Sequence, residues 1–348
     1  AVAAYDEALQ IKQRMGTMDD SAGIDLLGNY SNVLSSMGDL ERAAEMADRA
    51  IELSIRTLGE GHPSTIIRMH NRGLIASSSG DLELATEIFT RTVELGRQTW
   101  PEHHPQIAFM VGGLGSMKRR SGDFDEARQL YDEKAESTRI VMGEESIDYV
   151  SALRARGFLL IDMAKYAEAE DSFRDALELL ARLDALDHYH YPVVNVGIGM
   201  TLNRRGRFAE AEQQFMEALK NRDRMSTTTQ HITQSELAEA MSGQGRTSEA
   251  ETLFSDTLQD TREQVGDDSL TLTRQLIRIA VHYRQKGDLE AARRYIDDAV
   301  RIADANWPRS NWSSALIHAE LGSILVAQGD RVAGRRELEV AASALEEV

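Results

Sequence analysis

The chain has 348 residues, no cysteine, five prolines and a formal net charge of −18. Without cysteine it can hold neither a disulfide nor a thiolate metal site, which fits a reducing, cytoplasmic compartment. The acidic balance favours solubility and argues against nucleic-acid binding by the molecule as a whole. No apolar run approaches the roughly 18 residues of a membrane span.

Alanine, leucine, glutamate and arginine dominate, so helix is favoured throughout. The chain opens on a single predicted helix within 1–20, carrying Ala1, Tyr5 and Ala8. One design then recurs eight times: a helix (A), a corner, and a second helix (B). Gly38-Asp39-Leu40 with Ala43 is the first corner, and Gly80-Asp81-Leu82 with Ala85 and Gly122-Asp123-Phe124 with Ala127 follow. Ala164-Lys165-Tyr166, Gly206-Arg207-Phe208 and Gly245-Arg246-Thr247 are looser copies. Gly287-Asp288-Leu289 and Gly329-Asp330-Arg331 close the series. The steps are 42 residues except for 39 between Gly206 and Gly245. A fixed period of this kind adds units in one dimension instead of enlarging one core.

The unit from Ile66 to Gly96 shows the local logic. Ile67, Leu74 and Ile75 fall at helical spacing, and a serine run leads to Gly80. Glycine suits the left-handed position after a helix, and Asp81 can cap the next one. Leu82, Ala85, Phe89 and Val93 then continue at helical steps. All five prolines fall between a B helix and the next A helix, where a missing N–H does least harm. The 39-residue step contains the polar run Ser226-Thr227-Thr228-Thr229, which predicts a shortened loop, with a hinge as the alternative.

With each corner glycine (or Ala164) numbered 15, position 8 is always small: Ser31, Gly73, Gly115, Gly157, Gly199, Ala238, Ala280 and Gly322. Position 20 is alanine in seven units. Position 24 is mostly large, as at Phe89, Tyr131, Phe173, Phe215 and Phe254. A glycine inside a helix costs roughly 1 kcal/mol against alanine, so close packing of helices A and B must require it. The large residues at 24 are expected to wedge between units.

At these positions the chain resembles the tetratricopeptide repeat, in its longer 42-residue, kinesin-light-chain-like variety. The resemblance implies an all-α fold, a right-handed superhelical solenoid of antiparallel helix hairpins spanning 1–348. The segment 1–20 would be a half repeat, helix B only, and such an opening is expected of a fragment of a longer chain. In this family helix A lines a concave groove. The eight A-helix windows sum to +8, leaving −26 for the rest of the chain, so the resemblance implies a basic groove inside an acidic shell. Positions 2, 5, 9, 12 and 13 face that groove. They supply Asn32, His70, Phe109, Arg119, Arg120, Arg154, Phe158, Met200, Asn203, Arg204, Arg274 and Arg284. Arginine forks grip carboxylates or phosphates at two points, and asparagine can bond a peptide backbone. These arginines can equally pair with B-helix acids of neighbouring units.

No catalytic constellation can be proposed. His103-His104 and His188-Tyr189-His190 lie in predicted connections without the three or four convergent ligands of a zinc site. Gly112-Gly113-Leu114-Gly115 lacks the lysine and preceding strand of a phosphate loop. The expected function is non-enzymatic, with no cofactor and no metal. It is a protein–protein interaction scaffold that takes a protein or peptide partner, acidic with an apolar anchor, in the groove. Two alternatives stand beside it. One is a sensor or docking arm of a larger bacterial signalling protein, a Ser/Thr kinase or a transcriptional regulator. The other is a receptor for a small ligand or signal peptide.

Overall fold

The computed structural model describes residues 2–307 and 311–346, and its regular structure is helical throughout. The opening helix is α1 (Val2–Met15). The A helices are α2 (Ser21–Ser36), α4 (Pro63–Ser79), α6 (Pro105–Ser121), α8 (Ile147–Asp162), α10 (His190–Arg204), α12 (Thr227–Gly243), α14 (Thr271–Lys286) and α16 (Trp312–Gln328). The B helices are α3 (Leu40–Leu58), α5 (Leu82–Thr99), α7 (Phe124–Met142), α9 (Tyr166–Arg182), α11 (Phe208–Lys220), α13 (Thr247–Val265), α15 (Leu289–Asn306) and α17 (Arg331–Glu346). They form two compact units, 1–119 with 125–143, and 120–124 with 144–348.

Every corner turns in the same way. Its first residue has positive φ, from 72° at Gly206 to 97° at Gly329, and Ala164 takes the same conformation at 56°. At the Gly38 and Gly206 corners the next N–H reaches back to the carbonyl five residues earlier, Asp39 to Leu34 (3.0 Å) and Arg207 to Leu202 (2.9 Å). That bond closes the finished helix. The following helix is capped where the corner carries aspartate: Asp81 accepts from the Leu84 N–H (3.1 Å) and Asp288 from that of Ala291 (3.0 Å).

Five of the hairpins close on a position 8 that has no side chain. A methyl group on Gly73 would come within 2.7 Å of the Phe89 ring, one on Gly157 within 2.7 Å of Phe173, and one on Gly199 within 2.5 Å of Phe215. The same Phe173 ring presses on Gly197 of the next A helix, so it is wedged between successive hairpins. Phe89, Phe173 and Phe215 are fully buried. At roughly 25 cal/mol per Å² of apolar area, burial of each of these rings is a large stabilising term for its hairpin.

A second, polar device links hairpins in the second unit. Position 21 of three consecutive B helices is glutamate: Glu170, Glu212 and Glu251. Each is gripped from the following hairpin's corner. Arg205 and Arg207 hold Glu170, the latter at 3.2 Å. Gln244 and Arg246 hold Glu212 at 2.7 and 2.6 Å. Lys286 and His282 hold Glu251 at 2.6 and 3.3 Å. Burial by itself would raise the Glu212 carboxyl, yet the Gln244 and Arg246 bonds keep it lowered. Where position 21 is Arg293, Gln328 bonds the Leu289 carbonyl instead (3.1 Å).

The 39-residue step departs from the expected short loop. The residues are lost from helix α11, which has 13 against 17 in α9 and 19 in α13. The polar run does not stay in a loop. Ser226 caps α12 by accepting from the Thr229 N–H (3.2 Å), and the threonines form its first turn. His190 likewise begins α10 instead of lying in the connection before it.

Candidate functional site

In the second unit α8 packs on α10, α10 on α12, α12 on α14 and α14 on α16. The A helices thus form one continuous layer, and their shared positions line one face. In the first unit α2 and α4 are in the same relation.

The first unit brings Asn32 to the surface of α2 and Phe109 to that of α6, the latter 52% exposed. Ile67 and Leu74 on α4 are exposed at the same register, positions 2 and 9. His70 is not on the open face. It is buried, with its ring between Phe89 (4.8 Å) and Phe109 (4.6 Å). Burial lowers its imidazole to about 4, so it is neutral at physiological pH. Arg119, which belongs to this unit, is half-buried near the end of α6.

The second unit holds Arg120, Arg154, Phe158 and Arg284 half-buried and Arg274 exposed. Phe158 meets the Phe173 ring edge-on at 5.0 Å. Met200 and Asn203 are buried, so they support the layer instead of presenting themselves on it. The arginines meet acids on neighbouring A helices, not only on B helices. Arg284 bonds Glu320 of α16 at 2.6 and 3.2 Å. Arg204 of α10 and Arg278 of α14 converge from opposite sides on Glu236 and Glu239 of α12. Glu236 is wholly buried, and Asn203 also donates to it at 3.2 Å. Burial would raise its carboxyl, but Arg278 and then Arg204 hold it lowered. The Arg204 guanidinium is raised in turn, by Glu236 first.

Sequence reasoning missed Arg278, Glu236, Glu239 and Glu320. The signal was present, because position 6 reads Glu236, Arg278, Glu320 in consecutive units and Glu239 stands at groove position 9. Opposite charges at one register of adjacent helices predict pairing.

The tetratricopeptide repeat profile matches residues 24–98, 105–182 and 148–224, together more than half of the chain. The chain belongs to the tetratricopeptide repeat family. Among solved structures, it resembles the Rap conjugation gene regulator of plasmid pLS20 in complex with the Phr* peptide. That pair has 14% identity and a TM-score of 0.66, covering 99% of this chain and 95% of the other. A Rap protein complexed with Competence and Sporulation Factor gives 13% identity and 0.64, covering 100% and 99%. NprR in complex with its cognate peptide NprX gives 14% and 0.57, covering 81% and 79%. At such identities the likeness of these tetratricopeptide repeat proteins is one of fold. Comparison with the curated proteins gives no match. Among the described residues no group of three or more histidines and carboxylates is placed to hold a metal, and no helix is long and apolar enough to cross a membrane.

Proposed function

We propose that this tetratricopeptide repeat chain is a non-enzymatic scaffold that binds a peptide segment along the A-helix layer of its second unit. The observation that carries this reading is the row of arginines on one continuous face. Arg154, Arg204, Arg274, Arg278 and Arg284 lie on α8, α10 and α14, with Phe158 among them. Arg204, Arg278 and Arg284 meet Glu236, Glu239 and Glu320, and the five A-helix windows of this unit carry +1, +2, −2, +4 and −1, a positive excess. An acidic peptide with one apolar side chain fits that combination. The peptide-bound Rap and NprR structures of the same fold support it. In the first unit, Asn32, Ile67, Leu74 and Phe109 are exposed at A-helix positions 2 and 9 and offer a second, more apolar set of groups.

Selection of a displayed random-peptide library on the purified chain tests this. Enriched peptides are expected to carry carboxylates around an apolar residue. Combined Arg154→Glu and Arg274→Glu substitution is expected to weaken them by about tenfold or more at low salt, and by less as salt rises. Peptides of no common chemistry, or binding unaffected by both charge reversals, would sink the reading.

A further inference from the structure

Resting on the peptide-binding reading, we propose that Arg204 and Arg278 form a seat for a peptide carboxylate. Glu239 fills that seat in the free protein as an internal stand-in, and a ligand carboxylate binds by replacing it.

The two acids of α12 are held very differently. Glu236 is wholly buried, contacts both arginines, and accepts from Asn203. It has no water to go to, so releasing it would strand a buried charge. Glu239, one turn further on, keeps 32% of its side chain exposed. Turning outward, it exchanges two arginine contacts for solvent, and the largely buried Arg278 keeps its contact with Glu236.

The seat is shaped for a carboxylate. Arg204 Nη1 donates to Glu239 Oε1 at 2.6 Å, and Arg278 Nε donates to Oε2 at 3.1 Å. Each oxygen is therefore read by a different helix, a two-point arrangement that a carboxylate meets with both of its oxygens. Donors also exceed acceptors: among the described residues Arg278 Nη1 has no hydrogen-bond partner. Once Glu239 has turned away, Glu236 balances one of the two guanidiniums. The remaining positive charge lies on the A-helix face, on the side where Glu239 meets solvent. Because Glu239 is tethered, it competes at a high effective concentration and keeps the affinity for an isolated carboxylate low. The seat thus selects peptides that add other contacts along the layer.

The carboxylate can come from an acidic side chain or from a peptide C-terminus, and three hexapeptides labelled with an uncharged, carboxylate-free BODIPY dye separate these sources. One is C-terminally amidated alanine with one aspartate, the second is its asparagine counterpart, and the third is all-alanine with a free C-terminal carboxylate. Fluorescence anisotropy is expected to show that Glu239→Gln binds at least one carboxylate peptide about tenfold tighter than the parent chain does. The asparagine peptide is expected to be unchanged, and adding Arg204→Gln is expected to abolish the gain. Glu239→Asp, with a shorter tether, gives an intermediate gain if Glu239→Gln does not fold. No gain for either carboxylate peptide, an equal gain for the asparagine peptide, or a gain surviving Arg204→Gln overturns the proposal. If the Arg154→Glu and Arg274→Glu pair still weakens selected peptides while Glu239→Gln gives no gain, the seat alone fails. If neither has any effect, the peptide-binding reading fails with it.

Discussion

Single glycines in this chain have opposite values depending on what stands over them. At Gly199 a methyl group would meet the wholly buried Phe215 ring at 2.5 Å, and the ring has no room to give. Overpacking of that kind costs about 1–3 kcal/mol, more than the roughly 1 kcal/mol gained in helix propensity. At Gly28 the nearest atom would be Arg68 Nε at 3.7 Å, an ordinary contact. Gly199→Ala is therefore expected to destabilise by about 1–2 kcal/mol, and Gly28→Ala to stabilise by up to about 1 kcal/mol. Urea denaturation of the two variants checks the pair of signs. His70 carries a pH dependence. Its imidazole is depressed to about 4 by burial against an ordinary value of 6.5, so the unfolded chain binds the proton first. The stability it contributes is complete above pH 6.5 and is lost as pH falls toward 4, amounting to about 3 kcal/mol. Denaturation at pH 7.5 and 4.5 is expected to show a smaller drop for His70→Leu than for the parent chain. Position 8 was legible because only packing explains repeated mid-helix glycine. The burial of His70, Met200 and Asn203 was not, because a family frame gives the direction of a position but not the size of its neighbours.

At the scale of elements, the hairpins were legible almost to the residue, since glycine, aspartate and alanine mark each corner by backbone chemistry. The shortening of α11 was legible only as a number. A period counts missing residues without saying which element lost them, and a polar run reads as loop until Ser226 is seen to cap a helix with it. The clamps on Glu170, Glu212 and Glu251 join one hairpin to the next and belong to this scale. Glu212→Ala leaves Arg246 with Glu249 (2.7 Å) and Gln244 without a side-chain acceptor. Because Arg246 is partly exposed, the cost is expected near 1–2 kcal/mol, short of that for a fully buried pair. Hydrogen exchange is expected to quicken in α11 and α12 while α2 to α5 keep their protection, as nearest-neighbour stability requires.

For the molecule as a whole, the charge sum was legible and its meaning was not. The A-helix windows total +8, but the α12 window is −2 and stands between +2 for α10 and +4 for α14. The total hides this alternation. Adjacent helices of opposite sign satisfy one another first, and only the excess is offered outward. The arginines of α10 and α14 are thus already partly paired, and in the proposed reading a ligand carboxylate enters by exchange with Glu239.

The clamp between one corner and the preceding glutamate also gives some hairpins the same joint. The hairpins with corners at Gly206 and Gly245 each present an acid behind them and a basic or amide grip in front. They share one joining rule at the glutamate clamps, while the Arg204, Glu236 and Arg278 contacts hold α10, α12 and α14 in that order. The hairpins with corners at Gly38 and Gly80 have Ala44 and Thr86 at the acid position, and no such rule protects their joints. One polar joint therefore recurs between Glu170 and Lys286, and inserting a whole repeat there keeps that joint only where the Arg204, Glu236 and Arg278 contacts are kept too.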